Sequence, residues 1–291
     1  MLFVSTGGRR LKSAAESAKD FHQLGISGVE LSGGAYSSTC EADLLALPKD
    51  INFQVHNYFP PPADPFVFNL ASDNQQLAER SVCHVRAAIR LSVVLRRPVY
   101  SFHAGFRINP RVTELGQPIG RHKLCERDKA LELFGENVLM LAEEARREGV
   151  TLLVENNVIN KVNLATFGED PLLLTHPDEI VAFMEKMPGN VKLLMDVAHF
   201  KVSSQSLGFD HVAGHEQVKS WIQGYHLSDN DGTADTNEAV TADSWFWEVL
   251  DPWLDYYSLE VYRTHNLELF KQYEFVKAKL AEKRFSTEMK L

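Results

Sequence analysis

Short apolar runs and helical stretches alternate eight times along this chain, and that alternation constrains its fold more than any other feature. The runs cover residues 2–6, 28–34, 51–56, 98–103, 151–157, 191–199, 222–229 and 256–260. Each is too short for an ordinary helix and rich in Val, Leu, Ile, Phe and Tyr, so each reads as a buried strand. Between them the apolar residues fall at helical spacing over 10–24, 41–47, 74–95, 129–148, 211–222, 245–253 and 266–283, with a further helix opening near Thr175, where Pro177 suits the first turn. In 10–24 the stripe is Leu11, Ala14, Ala15, Ala18, Phe21 and Leu24. A helix between successive strands forces parallel pairing. Eight such units in 291 residues close most naturally into a single (β/α)8 TIM barrel, one domain spanning 1–291. An open doubly wound sheet is the rival, and it lacks a G-x-G-x-x-G after the first strand.

The strands share a second property: their C-terminal ends carry Glu30, His56, His103, Glu155, Asp196 with His199, His226 with Asp229, and Glu260. In a barrel those ends form one rim, where active sites lie. A lone strand-end His or Asp is usually a cap, but a polar residue at strand after strand describes one converging site. Glu155, Asp196, His226 and Glu260 offer hard oxygen ligands plus an imidazole, a set suited to Mg²⁺, Mn²⁺ or Co²⁺ and tolerated by Zn²⁺. Carboxylates that close raise one another's pKa unless a cation neutralises them. One divalent metal is therefore expected, and a second is open.

Partners are bounded by charge. The net charge is −9, and Lys/Arg occur in no run longer than pairs such as Arg9-Arg10, Arg96-Arg97 and Arg146-Arg147, which disfavours nucleic acid. Cys40, Cys83 and Cys125 are odd in number and follow no C-x-x-C spacing, as expected of a chain in a reducing compartment. The N-terminus turns polar too quickly for a signal peptide, and no apolar run reaches a membrane span, so a cytoplasmic location without membrane contact is expected.

The sharpest motifs are Asp196-x-x-His199 and His226-Leu-Ser-Asp-Asn-Asp-Gly232. Together with Glu155 and Glu260 they resemble the xylose isomerase-like barrel superfamily, which joins sugar isomerases and epimerases to endonuclease IV. The resemblance implies that Glu155, Asp196, His226 and Glu260 hold the shared metal while His199 faces substrate or a further metal. It also implies that His56 and His103 match positions that ligate an additional metal in the endonuclease branch. Two departures stand out. Where the endonuclease pattern supplies an Asp-x-His pair, this chain has Asp235-Thr236-Asn237, and asparagine is a poor zinc ligand. The ketose 3-epimerases carry an Arg shortly after the His of that strand, and residues 228–238 contain none.

The function this implies is metal-dependent isomerisation or epimerisation of a sugar or sugar phosphate. Glu155 and Glu260 would move a proton through a metal-stabilised enediolate. His56, His103, His199 and Glu30 would bind substrate hydroxyls, and Phe59, Phe106 and Trp247 are candidates for an apolar wall. The Pro-rich loop 57–65 and the loop 104–121, with Gly105, Pro110, Gly116, Pro118 and Gly120, would form a lid. The alternatives are an endonuclease IV-like phosphodiesterase with two metals and a non-catalytic barrel. His122, His176, His211, His215 and His265 are expected in solvent or capping roles, and His22 and His84 on the surface. The Trp245-Phe246-Trp247 cluster is a candidate homo-oligomer interface.

Overall fold

The computed structural model describes residues 1–114, 120 and 122–288; Gly116, Pro118 and the other positions of the second loop expectation that fall between these lie outside the described residues. The strands are β1 (Leu2–Ser5), β2 (Gly28–Leu31), β3 (Asn52–His56), β4 (Val99–His103), β5 (Thr151–Glu155), β6 (Val191–Asp196), β7 (Ile222–Leu227) and β8 (Tyr257–Leu259). Each pairs in parallel with the next, and β8 closes on β1 through Leu2, Phe3 and Val4. This is the (β/α)8 barrel that the alternation predicts.

Period-2 alternation assigns each strand residue to a side. Val4, Val29, Val55, Tyr100, Leu152, Leu193 and Tyr225 join Ala18, Phe21, Val85, Phe134 and Phe183 of the surrounding helices in one hydrophobic core. Burying a side chain of this size stabilises by roughly 1.5–3 kcal/mol. Phe3, Leu153, Leu194 and Tyr256 form a separate, smaller cluster on the alternate positions. Gly224 makes room for it: a Cβ there would stand 2.7 Å from Cδ1 of Tyr256. Two residues further along β5, β6 and β7 the alternate positions become Glu155, Asp196 and His226, all fully buried.

The helices around the barrel are α1 (Ala14–Gln23), α2 (Cys40–Leu45), α3 (Gln75–Val94), α4 (Arg127–Arg147), α5 (Lys161–Phe167), α6 (Pro177–Met184), α7 (Val197–Leu207), α8 (His211–Val218) and α9 (Asn266–Glu288). Four local features depart from the periodicity. Ser13 and Glu16 form a capping box, so α1 starts after Leu11, which is 97% exposed. The 191–199 run stops being a strand at Asp196, which caps α7. Helix α5 has no counterpart among the expected elements, and 245–253 yields only a 3₁₀ turn, Trp245–Trp247. Phe246 is fully buried there, and the partly buried Trp245 packs on His211 and Phe200.

Two histidines expected in solvent are buried. His84, on the barrel-facing side of α3, packs against Tyr58, Phe66 and Phe68 and donates through Nε2 to the Asn57 carbonyl. Tyr100 donates to the same carbonyl. Asn57 directly follows His56 and sits at φ 41°, so these two bonds pin the backbone where β3 ends. His215 is enclosed beside the Tyr225 hydroxyl. His176 caps α6 as expected. The three cysteines are free, and among the described residues no helix is long and apolar enough to cross a membrane.

The loops after β3 and β4 are tied together by Asn69. Its Nδ2 donates to the carbonyls of Phe106 and Ile108 while its Oδ1 accepts from the amides of Ala71 and Phe106. Asn69→Ala strands four backbone groups, two buried and two partly buried, and is expected to destabilise the fold by about 2–4 kcal/mol. Urea denaturation checks this; a midpoint equal to the parent's would refute it.

Candidate functional site

His226, on β7, is the hub. Its Nδ1 lies 3.4 Å from Glu155 Oε1, 3.3 Å from Glu260 Oε2 and 3.8 Å from Asp196 Oδ2. Three strands thus aim a carboxylate at one imidazole nitrogen. The other nitrogen, Nε2, points away from this group and lies 3.0 Å from Glu30 Oε2.

Glu155 is the hub on the carboxylate side. His56 Nε2, His199 Nδ1 and His226 Nδ1 each lie 3.4 Å from its oxygens, and His103 Nδ1 lies 3.7 Å away. His103 is the open member of the group, its side chain 27% exposed. Asp196 divides its oxygens between two tasks. Oδ1 accepts from the His199 amide in the first turn of α7, leaving Oδ2 turned toward His226 and His199. The Asp-x-x-His spacing works because a helix, not a strand, follows the Asp. His199 then donates through Nδ1 to the Asn156 carbonyl, 2.9 Å away, which turns its Nε2 toward Asp196 and Asp235; burial works against a charge on the ring, but these carboxylates hold it well above its ordinary pKa.

Burial raises Asp196 to about 7, with His199 opposing and Glu155 and Asp235 adding to the rise. Burial acts the same way on Glu155, but the imidazoles of His103, His226 and His56 outweigh it and hold that carboxyl well below the usual range. In Glu260 the His226 imidazole likewise overcomes burial and brings it down to about 2. The expectation that crowded carboxylates push one another up thus holds for Asp196 and is corrected for Glu155 and Glu260, whose effective neighbours are imidazoles.

A metal fits this geometry. Both Glu155 oxygens, Asp196 Oδ2 and His226 Nδ1 are buried without a hydrogen-bond partner. Unsatisfied buried polar atoms are costly, and four that converge are explained by a cation that accepts all of them. Glu155 with His56 and His226, Glu155 with His103 and His199, and Glu30 with His226 and Glu260 each bring ligand atoms within 4.8 Å of one another.

Several expected residues sit differently. Glu30 faces no substrate space: it is fully buried behind His226 and accepts from the Tyr256 hydroxyl at 2.6 Å. Its position, short of the end of β2, keeps it on the barrel axis below the rim. Phe59 belongs to the hydrophobic core, Phe106 forms an isolated bridge with Leu172, and Trp247 packs on Phe246. Asp235, which stands where the endonuclease pattern has the Asp of its Asp-x-His pair, lies 3.3 Å from His199, and Tyr262, to which the sequence points in no way, donates from its hydroxyl to Glu260 Oε1 at 2.7 Å. Asn237 takes a left-handed backbone, φ 50°, which asparagine tolerates well.

The family model for xylose isomerase-like TIM barrels matches residues 18–267. A D-tagatose 3-epimerase-like protein of known structure superposes with a TM-score of 0.73 at 18% identity, covering 98% of this chain and 99% of its own. An L-ribulose 3-epimerase gives 0.69 at 16%, over 99% and 97%. Endonuclease IV from Thermus thermophilus gives 0.57 at 16%, over 94% and 98%. At these identities the structures speak to the fold alone. No curated protein matches the sequence.

Proposed function

Because the chain belongs to the xylose isomerase-like TIM barrel family, we propose that it is a divalent-metal-dependent isomerase or epimerase of a sugar or sugar phosphate. The observation that carries this reading is the convergence of Glu155, Asp196 and Glu260 on Nδ1 of His226, with buried oxygens left without a hydrogen-bond partner. Those four residues would hold Mn²⁺, Mg²⁺, Co²⁺ or Zn²⁺. A cation there supplies Lewis acidity that polarises a carbonyl and acidifies the adjacent C–H.

The rest falls to the side chains. Glu155 and Glu260 flank one point, so that one, ionised, would take a proton from the substrate carbon while the other, protonated, would return one to the enediolate. Tyr262 fixes the second oxygen of Glu260. His103, on the open side, meets substrate hydroxyls, with His199 and His56 behind it. The structures superposed above include sugar epimerases, which supports this reading; the missing Arg after His226 argues against sugar contacts of the ketose 3-epimerase kind.

A second reading has one observation in its favour. His56 and His103 both approach Glu155, which would let a second ion bind as a phosphodiesterase requires. Asp235 with Asn237, rather than with a histidine, and the net charge of −9 weigh against it.

The test is to load the protein with Mn²⁺, measure metal content, and incubate it in D₂O with a panel of ketoses and ketose phosphates. About one ion per chain and deuterium at the carbon beside the carbonyl are expected. Cleavage of abasic-site DNA without exchange would transfer the assignment to phosphoester chemistry. Failure to bind metal under any loading would overturn both readings.

A further inference from the structure

Beneath the metal-competent group lies a chain of buried hydrogen bonds joining its two sides. His56 Nδ1 is 3.0 Å from Ser101 Oγ, Ser101 Oγ is 2.9 Å from the Tyr256 hydroxyl, and that hydroxyl is 2.6 Å from Glu30 Oε2. The same carboxylate oxygen lies 3.0 Å from His226 Nε2. His56, Ser101, Glu30 and His226 come from four different strands, and Tyr256 directly precedes a fifth.

Donors and acceptors settle the direction of every bond. Tyr256 gives its single proton to Glu30. Its oxygen is then an acceptor, and Ser101 gives its proton to Tyr256. Ser101 in turn accepts, so His56 carries its proton on Nδ1 and leaves Nε2 bare, 3.4 Å from Glu155. On the other branch His226 donates Nε2–H to Glu30, which turns Nδ1 toward Glu155, Asp196 and Glu260.

We propose that Tyr256, through Ser101, extends the influence of Glu30 to His56, so that one buried carboxylate fixes the far-side proton of two imidazoles, Nδ1–H of His56 and Nε2–H of His226, and turns their other nitrogens toward the site. Glu30 and Tyr256 are positioning residues in this scheme and touch no substrate. A ring whose far nitrogen is held in a hydrogen bond presents the other to an ion lying between it and the carboxylates, so the wiring favours the loaded site. Gly224 gives the Tyr256 ring its place in the barrel. This consequence for metal rests on the function proposed above; the tautomers themselves do not.

Tyr256→Phe keeps the ring and removes both bonds of its hydroxyl in the chain, to Ser101 and to Glu30, together with a longer 3.4 Å contact to His226 Nε2. Ser101 is then free to donate to His56 Nδ1, so the His56 proton is expected to move to Nε2 while His226 keeps Nε2–H on Glu30. Long-range ¹H–¹⁵N correlation of ¹⁵N-histidine-labelled, metal-free protein reads both rings. A general structural disturbance would move both rings or neither. A wild-type His56 already protonated on Nε2, or a His56 unchanged in Tyr256→Phe, would overturn the proposal. Should that variant fold poorly, Ser101→Ala serves: His56 is expected to lose its fixed Nδ1 proton with His226 unaffected, and retention of that proton would be equally fatal. Zinc titration of Tyr256→Phe is expected to show affinity weakened about 10–100-fold. Wild type that takes up no zinc yet shows the stated tautomers would sink the metal reading and leave the wiring standing.

Discussion

Glu155→Gln is expected to lower solvent exchange into substrate by about 10³-fold, the scale of a lost general base, and to release the bound metal. No other carboxylate at the site has so many imidazoles around it. His56, His103, His199 and His226 all lie within 3.4–3.7 Å of its oxygens. An amide keeps the shape but loses the charge, and places an N–H where an oxygen faced a bare ring nitrogen. The variant therefore removes a metal ligand and a proton acceptor together. Glu260→Gln separates the two roles, since that carboxylate keeps its Tyr262 contact through Oε1 and only Oε2 faces His226. It should cost activity comparably while retaining more metal. Elemental analysis and deuterium exchange on both variants decide, with circular dichroism to confirm the fold. Exchange within tenfold of the parent in Glu155→Gln would remove this residue from the mechanism.

What could be read in the sequence was whatever strand periodicity alone controls. Glu155, Asp196, His226 and Glu260 each end an apolar run, so closing the barrel necessarily gathers them, and the gathering is observed. Contacts that depend on closure itself were hidden. Tyr256 and Glu30 are 226 positions apart and meet only across the barrel interior, and an aromatic residue at the start of an apolar run looks like packing. Glu30 ended its run like the others, but its depth below the rim depends on how far the chain continues beyond it, which alternation does not tell. Asp235 reaches His199 from a loop, where no period operates. His84 and His215 were misplaced because a helix reveals its apolar stripe but not that a lone histidine within it has a partner, here Asn57 and Tyr225. In α1 the error was at the boundary: Leu11 fits the helical period, yet the Ser13 capping box ends the helix before it.

Removing the metal is expected to lower stability as well as abolish exchange. The buried oxygens of Glu155 and Asp196 and Nδ1 of His226 have no hydrogen-bond partner in the protein, so in the metal-free state their desolvation is only partly offset by the imidazole–carboxylate attraction between them. A ligand that binds only the folded state stabilises it by RT ln(1 + [L]/Kd), about 4 kcal/mol at a thousandfold excess over Kd. For a chain of this size that corresponds to a shift in Tm of roughly 10 °C. Calorimetry of protein stripped with a chelator and then reloaded with Mn²⁺ measures it. The response should disappear in His226→Ala, which removes the nitrogen on which three carboxylates converge, although that variant will itself start from a lower Tm. Equal transitions for stripped and reloaded wild type would mean that the orphaned atoms are reconciled in some other way and that the convergence on His226 is not a metal site. A shift that survives in His226→Ala would place the ion elsewhere on Glu155, beside His56 and His103, and would move the assignment toward the two-metal reading.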